Sequence, residues 1–237
     1  MLRVILLFLI SLITFSSLVG QVKKFFTLEN NLDFDKVNIV LTATSNSCCI
    51  KTTVNPNLVN IFGYDNNANP NIYSETEILD RIQNLIIDLN NNDHDEESSI
   101  ASSFFGPSTE SENHWDLYLS NEKTMRLSLN SAVGDAKVDL SDLPIENLDI
   151  SSGSAEVNVE YMENKPNLIE MDSFLVKVDL GSLTINKMNH SRARTVIADV
   201  GFGALLVDYS DPLTESSDVY ASVGAGNLII GLPDDDT

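Results

Sequence analysis

Apolar and polar residues alternate at period two through much of the second half of the chain. Clear examples are residues 136–140, 157–161 and 176–180. This alternation is typical of β-strands that bury one face and expose the other. Because such a strand can bury its apolar face only against other elements, the pattern predicts an all-β fold built from packed strands.

Five glycines of the second half lie in similar surroundings. They are Gly134, Gly153, Gly181, Gly203 and Gly226. The residues five before, two after and four after each glycine are apolar, and the residue three before is apolar in four of the five. Glycine reaches positive φ without steric cost, so we expect the chain to turn sharply at each one. Spacings of 19, 28, 22 and 23 residues between them predict the rungs of a β-solenoid.

Two other architectures share part of this pattern. Leucine-rich repeats have an overlapping period, but residues 155–161 and 205–209 keep the strand alternation where that repeat has a helical return segment. A sandwich of hairpins also contains alternating strands, although hairpins do not require the same offsets around every glycine. The prediction is therefore one right-handed β-solenoid, a single stack of rungs with short loops.

The first half contains a degenerate copy of the repeat. If Asn46 stands where the glycines stand, apolar residues recur at the same offsets before and after it, ending with Cys48 and Ile50. Asn is the next most tolerant residue of positive φ. This register predicts that Cys48 points inward and Cys49 outward, since successive side chains of a strand alternate.

The remaining segments have weaker patterns. Residues 57–71 are rich in Asn, Asp and Pro and suggest a loop. Residues 75–89 have apolar positions at helical spacing but also adjacent isoleucines that favour a strand, and we prefer a strand ending at Leu89. Residues 90–113 are polar and acidic and predict an insertion. Pro233 and the three aspartates after it are expected to block pairing at the edge and to end the stack.

The first twenty residues resemble a secretory signal peptide. Arg3 precedes a mostly apolar run over residues 4–13, which is shorter than the roughly 20 residues that span a bilayer. We expect cleavage after Gly20, leaving residues 21–237 as one exported solenoid domain. The membrane would then be met only through this segment during export, and the mature chain would lie in the periplasm, on the outer surface or outside the cell.

Charge and cysteine content limit the function classes. The chain has 35 Asp and Glu against 14 Lys and Arg, a net charge of −21. Nucleic acids and anionic membranes are disfavoured partners, because binding to phosphate needs clustered cations. The two cysteines, Cys48 and Cys49, are adjacent, which excludes a disulfide-stapled scaffold.

The register places one polar position in line on the outward face. Five residues after the glycines stand Asp139, Asn158, Asn186 and Asp208, with Gly231 in the last unit. Carboxylate and amide oxygens suit calcium or a glycan, but a solvated hydrogen-bonded ladder explains the same residues. No catalytic or metal motif and no cofactor site is predicted. Residues 187–194 form a basic loop that either offsets the acidic surface or contacts an acidic polymer.

One family resemblance covers residues 115–233 and, more weakly, residues 36–90. It is carried by the runs LSLNSAVGDAKVDLSDLPIENLDISSGSAEVNVEY, LVKVDLGSLTI, VIADVGFGALLVDY and YASVGAGNLIIGLP. These resemble the bacterial putative-adhesin families, whose domains form toast-rack-like β-solenoids in exported envelope proteins. The resemblance implies a non-enzymatic structural or adhesin-like binding module whose partner is a protein or glycan of the cell envelope. A polysaccharide-active enzyme using surface carboxylates and a calcium-dependent binding module are the alternatives.

Overall fold

The described part of the chain is almost entirely β-structure. The computed structural model describes residues 22–45, 47–65, 73–89, 114–162, 164–211 and 216–233. The strands are β1 (Val22–Glu29), β2 (Lys36–Ser45), β3 (Ser47–Thr53), β4 (Asn57–Asp65), β5 (Tyr73–Leu79), β6 (Ile82–Asp88), β7 (His114–Ser120), β8 (Thr124–Val133), β9 (Ala136–Asp139), β10 (Ile145–Glu160), β11 (Met171–Ile185), β12 (Ala193–Asp208) and β13 (Asp218–Gly231). A single-turn 3₁₀-helix, Met188–Ser191, joins β11 to β12. The prediction of an all-β solenoid is confirmed.

Parallel pairing stacks the repeats on one another. β8 and β9 both pair with β10, and β10 to β13 follow in chain order, each parallel to its neighbour. Parallel strands cannot be joined by tight hairpins, so each connection must cross the whole rung. This pairing excludes the sandwich of hairpins.

A glycine row marks the corner at which each rung bends. Gly181, Gly203 and Gly226 pair in register and have φ of 132°, 142° and 143°. A Cβ on Gly203 would lie 1.6 Å from the carbonyl oxygen of Gly181 in the rung below. Both the backbone conformation and the closeness of the stacked rungs therefore require glycine at these three positions. Gly134 has φ of 124°, so four of the five repeat glycines have the positive φ that a sharp bend requires.

The predicted register of the second unit is wrong by two residues. Ala155, and not Gly153, pairs with Gly181, and Gly153 does not have positive φ. A slip of two residues leaves every side chain of a strand on the same face, so the alternation could not reveal the error. Backbone pairing with the neighbouring rungs decides the position.

The corner also reverses which residues point inward. On β11 the buried residues before the corner are Phe174, Val176 and Val178, and those after it are Leu183 and Ile185. The change from even to odd numbers means that both arms of the rung face the same core. We call the sheet before the corner the first wall and the sheet after it the second wall. The first wall contains β5, β6, β2, β8 and the first arms of β10–β13, and the second contains β1, β4, β7, β3, β9 and the second arms.

The rungs of the first half do not stack in chain order. The rung made of β2 and β3 lies between the rung of β6 and β7 and the rung of β8 and β9. Its predicted register is confirmed, since Cys48 pairs with Ala136 and Ile50 with Val138. Asn46 itself lies outside the described residues.

The predicted orientation of the cysteine pair is also confirmed. Cys48 packs against the core at the corner, where its side chain keeps partial exposure. Cys49 lies on the outer face and is covered there by its neighbours. Burial raises the pKa of the Cys48 thiol to about 12, with smaller contributions from Cys49 and Asp116. The two thiols therefore stand on opposite sides of one strand.

Two predictions for the first half need correction. Residues 57–65 form strand β4 rather than a loop, because Leu58, Val59 and Ile61 are fully buried and outweigh the polar residues between them. Residues 73–88 are strands, as preferred, but they form the hairpin β5–β6, which turns at Asp80 and Arg81, both at positive φ. Neither turn residue is glycine or asparagine, so the hairpin had no strong local signature.

Several other predictions fall on segments outside the description. The signal peptide at residues 1–20, the polar insertion at residues 90–113 and the acidic end at residues 234–237 all lie beyond the described residues, apart from Pro233. Within the described ranges, no helix has the length and apolarity needed to cross a membrane.

Candidate functional site

The outer face of the second wall carries most of the predicted polar column. Asp139 pairs with Glu160, and Asp208 pairs with Gly231. Asn186 directly follows Ile185, which pairs with Val207, so Asn186 lies level with Asp208. The row therefore contains Asp139, Glu160, Asn186, Asp208 and Gly231.

Asn158 is not in this row, which corrects the predicted column. It pairs with Lys137 and Thr184, two residues earlier along the strands, and Glu160 takes the expected place. The cause is the two-residue error at Gly153. Asn158 still faces outward, and its Oδ1 accepts a hydrogen bond from Asn186 Nδ2 at 3.2 Å.

The two aspartates of the column make turns at the ends of their strands. Asp139 Oδ1 accepts hydrogen bonds from Ser141 N at 3.0 Å and Ser141 Oγ at 2.5 Å. Asp208 Oδ1 accepts a hydrogen bond from Ser210 N at 2.9 Å. Asp followed two residues later by a donor is a common way to end a strand. These carboxylates thus have a structural function whether or not they bind a ligand.

The row continues into the first half of the chain through Lys51. Ile50 pairs with Val138, so Lys51 lies beside Asp139, and Tyr118 pairs with Lys51 on the other side. Sequence reasoning did not include Lys51 in the column. The sequence does contain the signal that would have placed it there, because Lys51 follows Asn46 by the same five residues that separate Asp139 from Gly134.

A groove of about 420 Å³ opens at this end of the row. Its charged and thiol lining comes from β3, β9, β10 and the loops that follow them: Cys49, Lys51, Lys137, Asp139, Asp142, Glu160 and Lys165. Lys165 Nζ lies 3.3 Å from Asp142 Oδ2. The groove thus gathers three of the few lysines of an acidic chain beside three carboxylates, and it can hold a polar ligand by both signs of charge.

Neighbouring groups keep Lys51 charged. The pKa of Lys51 lies above the ordinary lysine value, first because of the neighbouring Cys49 thiol and then because of Asp116 and Tyr118. Desolvation of the Lys51 ammonium group lowers its pKa, but the neighbouring groups raise it by more. The groove therefore presents a stable ammonium group.

An aromatic pair lies next to the groove on the same face. Phe62 and Tyr118 make an edge-to-face contact with ring centroids 5.5 Å apart. Phe62 pairs with Asp116, and Tyr118 pairs with Lys51, so both rings lie on the outward rows that lead to the groove. Tyrosine, with an apolar ring and a polar hydroxyl, is frequent at binding surfaces.

The basic loop before β12 is held to acidic residues of neighbouring segments. Lys187 Nζ and His190 Nε2 lie 3.8 Å and 3.5 Å from Asp211 Oδ2. Arg194 contacts Glu170 and also Asp172, the latter at 3.2 Å. These contacts favour the simpler interpretation, a loop whose cations offset the acidic surface.

Metal-binding geometry is not found in the described ranges. No three His, Cys, Asp or Glu side chains there converge in a way that could hold a metal ion. The members of the column lie side by side, one on each rung, about 4.8 Å apart as neighbouring strands are.

Comparison with known proteins gives a family match and structural neighbours. The family described as the N-terminal domain of toast_rack, DUF2154, matches residues 68–186. A putative cell adhesion protein from Clostridium sporogenes has a crystal structure with a TM-score of 0.61 and 15% identity, covering 90% of this chain and 97% of that one. A putative adhesin from Parabacteroides merdae covers the same shares at 12% identity, and its TM-score of 0.27 carries no argument. No curated protein sequence matches significantly. At these identities the structural likeness shows the fold alone.

Proposed function

Because this chain belongs to the toast_rack N-terminal domain family, in agreement with the resemblance of its repeats, we propose that it is an exported, non-enzymatic adhesin-like binding module of the bacterial cell envelope. The fold is shared with a protein described as a putative cell adhesion protein, which supports a role in contact rather than in catalysis. Fold likeness is an associational argument, so the proposal also needs a surface that can bind.

The groove beside Lys51 is the observation that carries the proposal. It lies on the outer face of the second wall, away from the core, and it is lined by both lysines and carboxylates. Phe62 and Tyr118 extend the same face with aromatic surface. A glycan bearing charged groups, or a polar segment of an envelope protein, is the partner that this mixture of groups would recognise.

Binding to envelope material tests the proposal. The purified chain is incubated with isolated envelope fractions and with defined charged glycans, and the bound fraction is measured. Lys51→Ala together with Lys137→Ala should weaken binding by at least about tenfold, which corresponds to about 1.4 kcal/mol. Lys177→Ala is the matched control, because Lys177 is also an exposed lysine on a strand but lies on the first wall. Equal binding by all three proteins would count against the groove.

The alternative of a polysaccharide-active enzyme has one observation in its favour. Asp139, Asp142 and Glu160 all line the groove, and paired carboxylates are what glycoside hydrolysis requires. Asp139 and Asp142 are already engaged with Ser141 and Lys165, which leaves Glu160 as the residue to test. Release of reducing sugar by the wild-type chain, lost in Glu160→Gln, would replace the binding module with an enzyme; we expect no release.

Export and calcium dependence are tested separately. Amino-terminal sequencing of the exported chain should begin at Gln21 if the signal peptide is removed after Gly20. The calcium-dependent alternative predicts a melting temperature that rises in calcium and falls with chelator. We expect neither change, since the column aspartates already bind backbone and hydroxyl donors.

A further inference from the structure

The last rung of the stack leaves its apolar side chains uncovered. In the described part of the chain β13 pairs only with β12. Val219, Leu228 and Ile230 of β13 are 37%, 43% and 42% exposed, whereas their partners in β12, Val196, Leu205 and Val207, are almost fully buried. One further layer over β13 would bury these side chains in the same way.

The two ends of the stack have edge strands of different kinds. At the far end each wall has its own antiparallel edge strand, β5 on the first and β1, beyond β4, on the second, whereas β13 spans both walls as one bent strand. An exposed edge strand with apolar side chains is a template for pairing with another strand. Some of the largest exposed apolar side chains of the chain, Tyr220, Ile229 and Leu232, also lie on or next to β13.

The bend of β13 makes its edge complementary to itself. Before the corner the inward residues are Val219, Ala221 and Val223, and after it they are Leu228 and Ile230, so the parity changes at the corner as in β11. A two-fold axis along the line that bisects the bend exchanges the two arms, reverses the direction of the stack and keeps the inside of the bend on the same side. A second copy related by this axis therefore lies end to end with the first, with its strand antiparallel.

We propose that β13 pairs antiparallel with β13 of a second copy around a two-fold axis through the corner at Ala225 and Gly226. In this register Val223 lies opposite Leu228 and Ala221 opposite Ile230 of the second copy, so inward residues meet only inward residues. Val219 likewise lies opposite Leu232. The two cores join into one, and the interface is isologous, as in most homodimers.

The outward residues fit the same register. Tyr220 lies opposite Gly231 of the second copy, and Ser222 lies opposite Ile229. An aromatic ring beside a glycine on the neighbouring strand compensates for the missing side chain of that glycine. A shift of the register by one residue would place inward residues opposite outward ones and lose every one of these matches.

Pro233 and Asp218 fall at the rim of this interface. Pro233 would lie opposite Asp218, beyond the last paired residues, so it removes no central hydrogen bond. Asp218 itself therefore places one carboxylate at each end of the interface. Repulsion between two chains that each carry a net charge of −21 makes the dimer weaker at low ionic strength.

Oligomeric state measured against salt tests the proposal. Light scattering after size exclusion should show a dimer whose dissociation constant falls between about 0.1 M and about 1 M NaCl, where the screening length drops from about 10 Å to about 3 Å. Ile230→Glu should raise the dissociation constant at least about tenfold. Ile229→Glu is the matched control, because Ile229 is the neighbouring isoleucine and faces outward. Thermal unfolding of both variants shows whether each is folded.

Cross-linking tests the register without depending on the stability of a core variant. Ser222→Cys with Ile229→Cys should form intermolecular disulfides, since directly opposed Cα atoms lie about 4.5–5.5 Å apart. Ser222→Cys with Gly231→Cys is two residues out of register and should not. A chain that stays monomeric at both salt concentrations overturns the proposal. The edge of β13 would then be available to a strand of a different protein. Two results would overturn the register: equal yields of cross-linked dimer for the two cysteine pairs, or equal dissociation constants for Ile230→Glu and Ile229→Glu.

Discussion

Replacement of Gly203 by alanine should destabilise the fold strongly, because Gly203 combines two constraints. Its φ of 142° lies in a region that residues with a side chain rarely adopt, and holding alanine there costs about 1–3 kcal/mol. The new Cβ would also lie 1.6 Å from the Gly181 carbonyl oxygen, so the two rungs must move apart. Overpacking of this kind costs about 1–3 kcal/mol more.

The two terms together predict a loss of about 4 kcal/mol in the free energy of unfolding, a large part of the about 5–15 kcal/mol that stabilises a typical protein. For a chain of this length that corresponds to a fall of about 8–16 °C in melting temperature. Urea unfolding monitored by circular dichroism measures the first quantity and calorimetry the second.

Gly153→Ala is the informative control for this experiment. Gly153 has the same sequence surroundings as Gly203, but it does not have positive φ, and Ala155 stands in the corner row of its rung. The loss in Gly153→Ala should be smaller than that in Gly203→Ala by at least about 2 kcal/mol, since the backbone strain is absent. Equal losses, or a change below about 1 kcal/mol in Gly203→Ala, would refute the assignment of the corner row.

Three further predictions concern groups that are buried or partly buried. Glu146→Gln should cost about 2 kcal/mol at neutral pH, because Glu146, 18% exposed, accepts from Lys36 Nζ at 2.6 Å and Arg126 Nε at 2.9 Å. These cations, chiefly Lys36, lower the pKa of Glu146, so its contribution is present above pH about 4.5 and should vanish in urea titrations as pH falls through the lowered value. A constant difference at all pH values would contradict this. The pKa of Cys48 is raised, so the stability it contributes is present below about pH 9.0 and lost as pH rises toward about 12. In Cys49→Ser the remaining, partly exposed thiol should react much more slowly with a thiol reagent at neutral pH than it does after unfolding, because the reactive thiolate is scarce. Labelling of the native variant as fast as that of the unfolded chain would contradict the raised pKa of Cys48. Tyr161→Phe should leave stability unchanged or raise it by about 1 kcal/mol, because the buried Tyr161 hydroxyl has no hydrogen-bond partner among the described residues. A loss above about 1 kcal/mol in calorimetry would show that the hydroxyl is satisfied.

The candidate site shows where sequence reasoning succeeded and where it failed. Asp139, Asn186 and Asp208 share a row as predicted, because each follows a corner glycine by five residues and the parallel rungs stack in register. Asn158 was misplaced because its rung has alanine at the corner. Lys51 could have been added from the register of Asn46, but the groove itself could not have been predicted, since Lys165 and Asp142 reach it from loops that have no repeat.

The sequence alone determined the strand class, the inward and outward faces, four of the five corner glycines and the register of the copy around Asn46. These depend on alternation and on backbone conformation, which are local properties of a few neighbouring residues. Only the tertiary structure decided that β2 and β3 lie between later rungs, that residues 57–65 join the sheet, that Ala155 stands in the corner row and that β13 ends the stack uncovered. These depend on hydrogen bonds and burial between residues far apart in the chain, and a local pattern that repeats every two residues cannot specify which strand pairs with which.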